Sequence, residues 1–282
     1  MFETSLANLK LPKALVLDSA VRVADAETNS VYACRGRLGG IATECYLKIA
    51  DRGARSLANE RDTLRRLRDC AIRVPAVIAD CVEHDPPFLL LAKVHGASLL
   101  DLIDPRRARR DVETVLGHLR TYGETLAAVH AIDPGGWAEQ PRSRLETVAS
   151  IDGELDPRVQ RLVEWLEAHR PSRAERAFVH GDFNTANVLI DADGSAGVID
   201  WEFAGRGWKE HELAWALRAR LHFLNTPAER AAILEGYASS GTFDAEQLQW
   251  CEVLTYVQFA QWTRATNAAY SEFALARAES MR

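Results

Sequence analysis

A chain of 282 residues, 47% hydrophobic and 26% charged, is long enough for one large domain or two lobes with cores of their own. Its net charge of −6 arises wholly within residues 180–282, which carry 8 basic and 14 acidic side chains against 26 and 26 in residues 1–179; a nucleic-acid binder needs the opposite sign. The longest apolar stretches, such as FLLLA at 88–92, are too short to span a bilayer, and the start MFETSLANLKLPK lacks the pattern of a secretory signal.

Five cysteines, Cys34, Cys45, Cys70, Cys81 and Cys251, form no CxxC pair and read as reduced thiols of a cytosolic protein. The pattern begins as that of a sheet. SVYACRG (30–36) and IATECYLKIA (41–50) alternate, and RLGG between them is a hairpin signal. ARSLANERDTLRRLRD (54–69) sets Leu57, Leu64 and Leu67 on one helical face. VPAVIADCV (74–82) and PPFLLLAKV (86–94) read as strands separated by an EHDPP turn. After Gly96 the period becomes helical. Helices are expected over 110–132 and 156–169, then, beyond two short strands near 177–190 and 196–200, over 209–223, 227–239 and 244–269, with a shorter one to the end. There are no internal repeats. The expected architecture is α+β and bilobal, with a small β-rich lobe over residues 1–93 and a larger, mainly helical lobe over 94–282.

The residues able to carry chemistry are few. On TECYLKIA, Leu47 and Ile49 face one way while Tyr46, Lys48 and Ala50 face the other. Taken alone, Lys48 is a side chain reaching water past its apolar neighbours. Glu60 changes that reading, because it falls within the apolar stripe formed by Leu57, Leu64 and Leu67. A buried carboxylate needs a partner, and Lys48 is the candidate; the alternative is a glutamate at the rim of the stripe. Asp182 and Asn187 in HGDFNTAN, with Asp200 closing GVID, supply hard oxygen atoms. Magnesium takes one or two carboxylates and leaves its other positions to water and phosphate oxygens. A lysine for phosphates, such a metal site and a spare aspartate make up the parts of phosphoryl transfer. His130 reads as packing at a helix end, and HEL at 211–213 lacks the second histidine of a zinc motif. Tyr256, Phe259 and Trp262 recur at helical spacing and read as core, or else as an aromatic wall for a cationic substrate.

HGDFNTANVLID followed by GVIDWEFAG resembles the catalytic segment of the aminoglycoside phosphotransferase and choline kinase group, small-molecule kinases with a protein-kinase-like fold. The Asp-x4-Asn interval is that of the kinase catalytic loop, with Gly181 where protein kinases carry arginine. The resemblance runs from about Asn29 to Ala214 and is strongest at 178–202. It implies ATP or GTP and Mg2+ as cofactors. By position it implies Asp182 as catalytic base, Asn187 and Asp200 as magnesium ligands, Lys48 as the phosphate lysine and Glu60 as its helix partner. It further implies a purine-binding hinge over 91–95, including Ala92 and Val94, and phosphate contacts from Asn29 and Ser30, where no glycine-rich loop is present. His180 is expected to brace the loop, and Glu212 to stand in for an aspartate that many members carry before LA. The expected acceptor is a small-molecule hydroxyl, foremost an aminoglycoside or other hydroxylated cationic antibiotic bound against the acidic second half. A metabolic kinase for choline, an amino alcohol or a sugar is the alternative. A nucleotide-binding module without turnover is the rival of another class. No nucleic acid or membrane partner is expected.

Overall fold

The computed structural model describes residue 9 and residues 11–25, 29–50, 55–83, 86–107, 111–140, 156–172 and 175–282. The signal-peptide reading of residues 1–8, residues 26–28 ahead of the hairpin, residue 54 of the first helix, the centre of the EHDPP turn (84–85) and residue 110 of the long helix lie outside that set. The chain divides into two compact units, Met1–His95 with Gly197–Phe203, and Gly96–Ala196 with Ala204–Arg282.

The first unit is built on an antiparallel sheet of five strands, β1 (Leu15–Asp25), β2 (Asn29–Leu38), β3 (Ile41–Ala50), β4 (Val77–Cys81) and β5 (Phe88–Ala92), in the order β1-β2-β3-β5-β4. Gly39 and Gly40 (φ 58° and 85°) turn β2 into β3, as a two-residue hairpin of right-twisted strands demands. Leu47 and Ile49 join Leu15, Phe88 and Leu90 in the core on one face of the sheet. Cys34 and Cys45 stand opposite each other across β2 and β3 in the same core, and burial pushes the Cys34 thiol up to about 11. Helix α1 (Arg55–Leu67) packs on β4 and β5 through Leu57, Leu64 and Leu67. Strand β1 was not foreseen. It is a sheet edge whose register slips between Leu17 and Ser19 and again between Arg22 and Ala24, and each slip inverts the in-out alternation that marks a strand.

In the second unit β6 (Ala97–Ser98) pairs with β8 (Val188–Ile190), and β7 (Arg176–Val179) pairs with the later β10 (Gly205–Trp208). Strand β9 (Ala196–Val198) carries the chain back to the first unit, where Gly197 bridges to Arg73. The helices are α2 (Leu99–Ile103), α3 (Val112–His130), α4 (Pro157–Ala168), α5 (Lys209–Leu217), α6 (Pro227–Ala238), α7 (Ala245–Thr263) and α8 (Ala268–Met281). Among the described residues no helix is long and apolar enough to cross a membrane. Two helical expectations are corrected. The helix expected over 209–223 stops at Leu217, because Ala219 gives its N–H to Tyr256 Oη (2.9 Å) and accepts Tyr270 Oη (3.1 Å) in place of helical bonds. The helix expected over 244–269 ends at Thr263. A new helix starts at Ala268 after Asn267, whose side chain accepts the Tyr270 N–H.

Candidate active site

Within the first unit, Lys48 Nζ lies 2.6 and 2.8 Å from the two Glu60 oxygens and 2.8 Å from Asp200 Oδ1. Glu60 is fully buried and Lys48 nearly so. Burial alone would lower the Lys48 ammonium; the charges of Glu60 and Asp200 outweigh it and hold the group well above its ordinary value. Removing either member of such a pair leaves a buried charge uncompensated, at about 3–5 kcal/mol. The segment after β9 is fastened to α1. The Trp201 N–H reaches Glu60 Oε1 (3.3 Å), Asn59 Nδ2 donates to the Glu202 carbonyl (2.9 Å), and the Trp201 indole, fully buried, donates to the Val198 carbonyl (2.9 Å). These contacts hold Asp200 at φ 69°, a left-handed conformation that costs a non-glycine residue about 1–3 kcal/mol.

Asn29 and Ser30 are buried at the start of β2. Asn29 Nδ2 donates to Glu202 Oε2 (3.1 Å), and Ser30 Oγ accepts from Arg22 Nη2 (2.9 Å). Burial and the neighbouring Asp200 push the Glu202 carboxyl up. At the end of β5, Ala92 N–H is spent on the Ala76 carbonyl (2.8 Å) and Lys93 N–H on that of Glu44 (3.1 Å). Val94 has neither bond among the described residues, which leaves its N–H and C=O able to pair with a ligand edge.

The second unit carries the loop between β7 and β8. Gly181 at φ 82° explains why glycine stands in that place. Glu212 of α5, buried beneath the loop, accepts the N–H of His180 (2.9 Å) and of Gly181 (2.5 Å) and lies 3.1 Å from His130 Nε2. Burial would raise its carboxyl; His130, by its bond and its charge, and His180, by its charge and its amide, prevail and hold it below the usual range. His180 Nδ1 accepts the Asp182 N–H (3.2 Å). Asn184 Nδ2 and Asn187 Nδ2 then approach Asp182 Oδ2 at 3.1 and 3.3 Å and fix the carboxylate from one side. Tyr122 Oη donates to the Phe183 carbonyl (3.1 Å), with the two rings stacked at 4.8 Å.

The structure therefore brings Lys48, Glu60 and Asp200 into one cluster, with Asn29 joined to it through Glu202, and sets Asp182 against Asn187 in another. Sequence reasoning missed two anchors. His130 is a partner of Glu212 rather than mere packing, and Tyr122 is a clamp on the loop; a polar ring on the buried face of α3 was the available signal. As to magnesium, Asp200 keeps 37% of its side chain exposed, and Asn187, with its Nδ2 committed to Asp182, has Oδ1 left. Taken singly, each offers a hard oxygen of the kind this ion accepts. Among the described residues no cluster of three or more His, Cys, Asp or Glu offers a rival metal site.

A homoserine kinase of Pseudomonas aeruginosa is 30% identical over 185 residues, 60% of this chain and 58% of that protein, so the match spans little more than half the relative's length. An aminoglycoside 3'-phosphotransferase of Niallia circulans is 25% identical over 213 residues, 71% of this chain and 78% of the relative. The solved choline kinase LicA of Streptococcus pneumoniae superposes with a TM-score of 0.70 at 15% identity, covering 100% of this chain and 99% of that one, which shows a shared α+β, protein-kinase-like fold. The family model described as "Phosphotransferase enzyme family" matches residues 19–251, most of the chain and both clusters. The chain belongs to the phosphotransferase enzyme family.

Proposed function

We propose that the protein is a kinase that moves the γ-phosphoryl of ATP or GTP to a hydroxyl of a small molecule. The observation that carries this reading is the Lys48 ammonium shared between Glu60 and Asp200 at 2.6–2.8 Å. A structural ion pair needs one carboxylate. The second, held on a strained backbone and open to solvent, is what a cation-dependent phosphate site requires. In this reading the nucleotide belongs to the first unit, with its purine on Ala92 and Val94, its phosphates on Lys48, and Asn29 and Ser30 near them. The acceptor belongs to residues 94–282. Magnesium held through Asp200 and Asn187 would neutralise charge on the phosphates.

The remaining work falls to the chain's own side chains. Asp182, steadied by Asn184 and Asn187, orients the acceptor hydroxyl and takes its proton. Glu60 keeps Lys48 in place. Most of the rate gain is then positioning and charge stabilisation rather than covalent chemistry. The acceptor is either an aminoglycoside or other hydroxylated antibiotic, or a metabolic alcohol such as choline, an amino alcohol or a sugar.

The test is Asp182→Asn. Acceptor phosphorylation should fall by about 10²–10⁴-fold, the usual worth of a general base, while calorimetry finds nucleotide affinity unchanged. Turnover left unchanged, or nucleotide affinity lost along with it, would overturn the assignment.

A further inference from the structure

A cavity of 560 Å³, ample for a metabolite, is lined by Asn184 of the Asp182 loop and, among others, by Arg106, Arg107, Arg220, His222 and Phe259. The acid among its described lining residues is Asp104, which is 1% exposed and gripped by Arg106 at 2.7 Å. Arg107 is paired with Asp101 at 2.5 Å. Arg220 differs from both. Among the described residues its guanidinium makes no hydrogen bond and no ion pair, and it has only the Phe259 ring at 5.9 Å.

Arg218 packs against the same Phe259 ring. It is 3% exposed, its Nε and Nη1 have no hydrogen-bond partner, and its guanidinium stacks 3.3 Å from the Phe259 centroid and 4.6 Å from that of Trp215. Burial, helped by the nearby Arg220 charge, pushes it down to about 9. A guanidinium buried without a carboxylate is costly, and a second one nearby adds to the cost. Of the acids of the second half, Asp182 offsets this cost only in part, and others are engaged elsewhere. Glu212 holds the loop, Glu210 accepts from Gln247 and Glu252 is bound by Arg230.

We propose that the acceptor carries an anionic group, a carboxylate or a phosphate ester, which Arg220 binds with the buried charge of Arg218 behind it, while the acceptor's hydroxyl is presented to the loop of Asp182. This deepens the kinase reading and rests on it. It reverses the charge expected from the net composition of residues 180–282, because the sign of a site is set by the groups that line it. A bidentate arginine contact to a carboxylate or phosphate supplies the affinity, and a polycation in the same cavity would meet uncompensated like charge.

The experiment uses pairs that differ only in the anion, homoserine against aminopropanol and glycerol phosphate against glycerol, so the two pairs also separate carboxylate from phosphate. Binding is measured by calorimetry on the full chain with ADP and magnesium, and transfer is measured with ATP. At least one anionic member should bind and turn over with a KM lower than its partner's by about tenfold or more, the worth of a charged hydrogen bond. Arg220→Gln should erase that difference and leave the KM for ATP alone; Arg220 is only half-buried, so the variant should fold. The proposal is overturned if neither anionic compound binds, if the uncharged or amine partner or an aminoglycoside binds more tightly, or if Arg220→Gln changes nothing. Anion binding without transfer to any acceptor would sink the kinase reading and leave the anion site standing.

Discussion

The two oxygens of Glu212 are committed to the amides of His180 and Gly181, with His130 alongside. Glutamine could accept one of those amides but would turn an N–H toward the other. Glu212→Gln should therefore destabilise the fold by about 1–3 kcal/mol at neutral pH, the cost of an unmet buried donor, and lower turnover without touching substrate. The pH dependence follows from the direction of the shift. A carboxyl whose value is lower in the folded than in the unfolded chain adds stability above its unfolded pKa, about 4.3, and loses it as pH falls through the lower folded value. Urea unfolding from neutral to acid should thus show the gap between wild type and variant narrowing only below that point. A gap constant with pH would mean that the charge of Glu212 plays no part. The pairing of Lys48 with Glu60 was legible because a carboxylate stood within an apolar helical stripe, one element after a lysine on a buried strand. The partner of His130 was not, since it lies 82 residues on, across a fold that local pattern does not encode.

At the scale of elements, α3 and α6 cross where each offers a glycine. A Cβ on Gly123 would sit 2.1 Å from the Ile233 carbonyl oxygen, and one on Gly236 would sit 2.0 Å from that of Arg120. Both obstacles are backbone and cannot swing aside. Gly236→Ala gains about 1 kcal/mol of helix propensity, but the helices must separate, and overpacking of this kind costs about 1–3 kcal/mol. Thermal melting should show a net loss; a raised midpoint would mean that the crossing is loose. The start of α6 could be read from its sequence, where Thr226 and Glu229 form a capping box around Pro227. The ends of α5 and α7 could not, because the apolar period runs on through residues that tertiary hydrogen bonds pull out of the helix.

Across the whole molecule, the change from strand period to helical period disclosed the α+β class, whereas a sum of charge over residues 180–282 does not tell which acids are already paired. Its cysteines were read only as reduced thiols, yet their places in the fold make them clocks. Cys34 and Cys45 are sealed in the sheet of the first unit, and Cys251 is fully buried in α7 of the second. Burial pushes all three thiols up, so while folded they hold almost no thiolate, the form that reacts. Cys70 and Cys81 are half-buried and serve as an internal zero of time. A pulse of alkylating reagent followed by peptide mass analysis therefore times the opening of each unit separately in the native chain. Nucleotide bound to the first unit should slow the labelling of Cys34 and Cys45 by mass action more than that of Cys251. Equal protection of all three would show that the two units open as one.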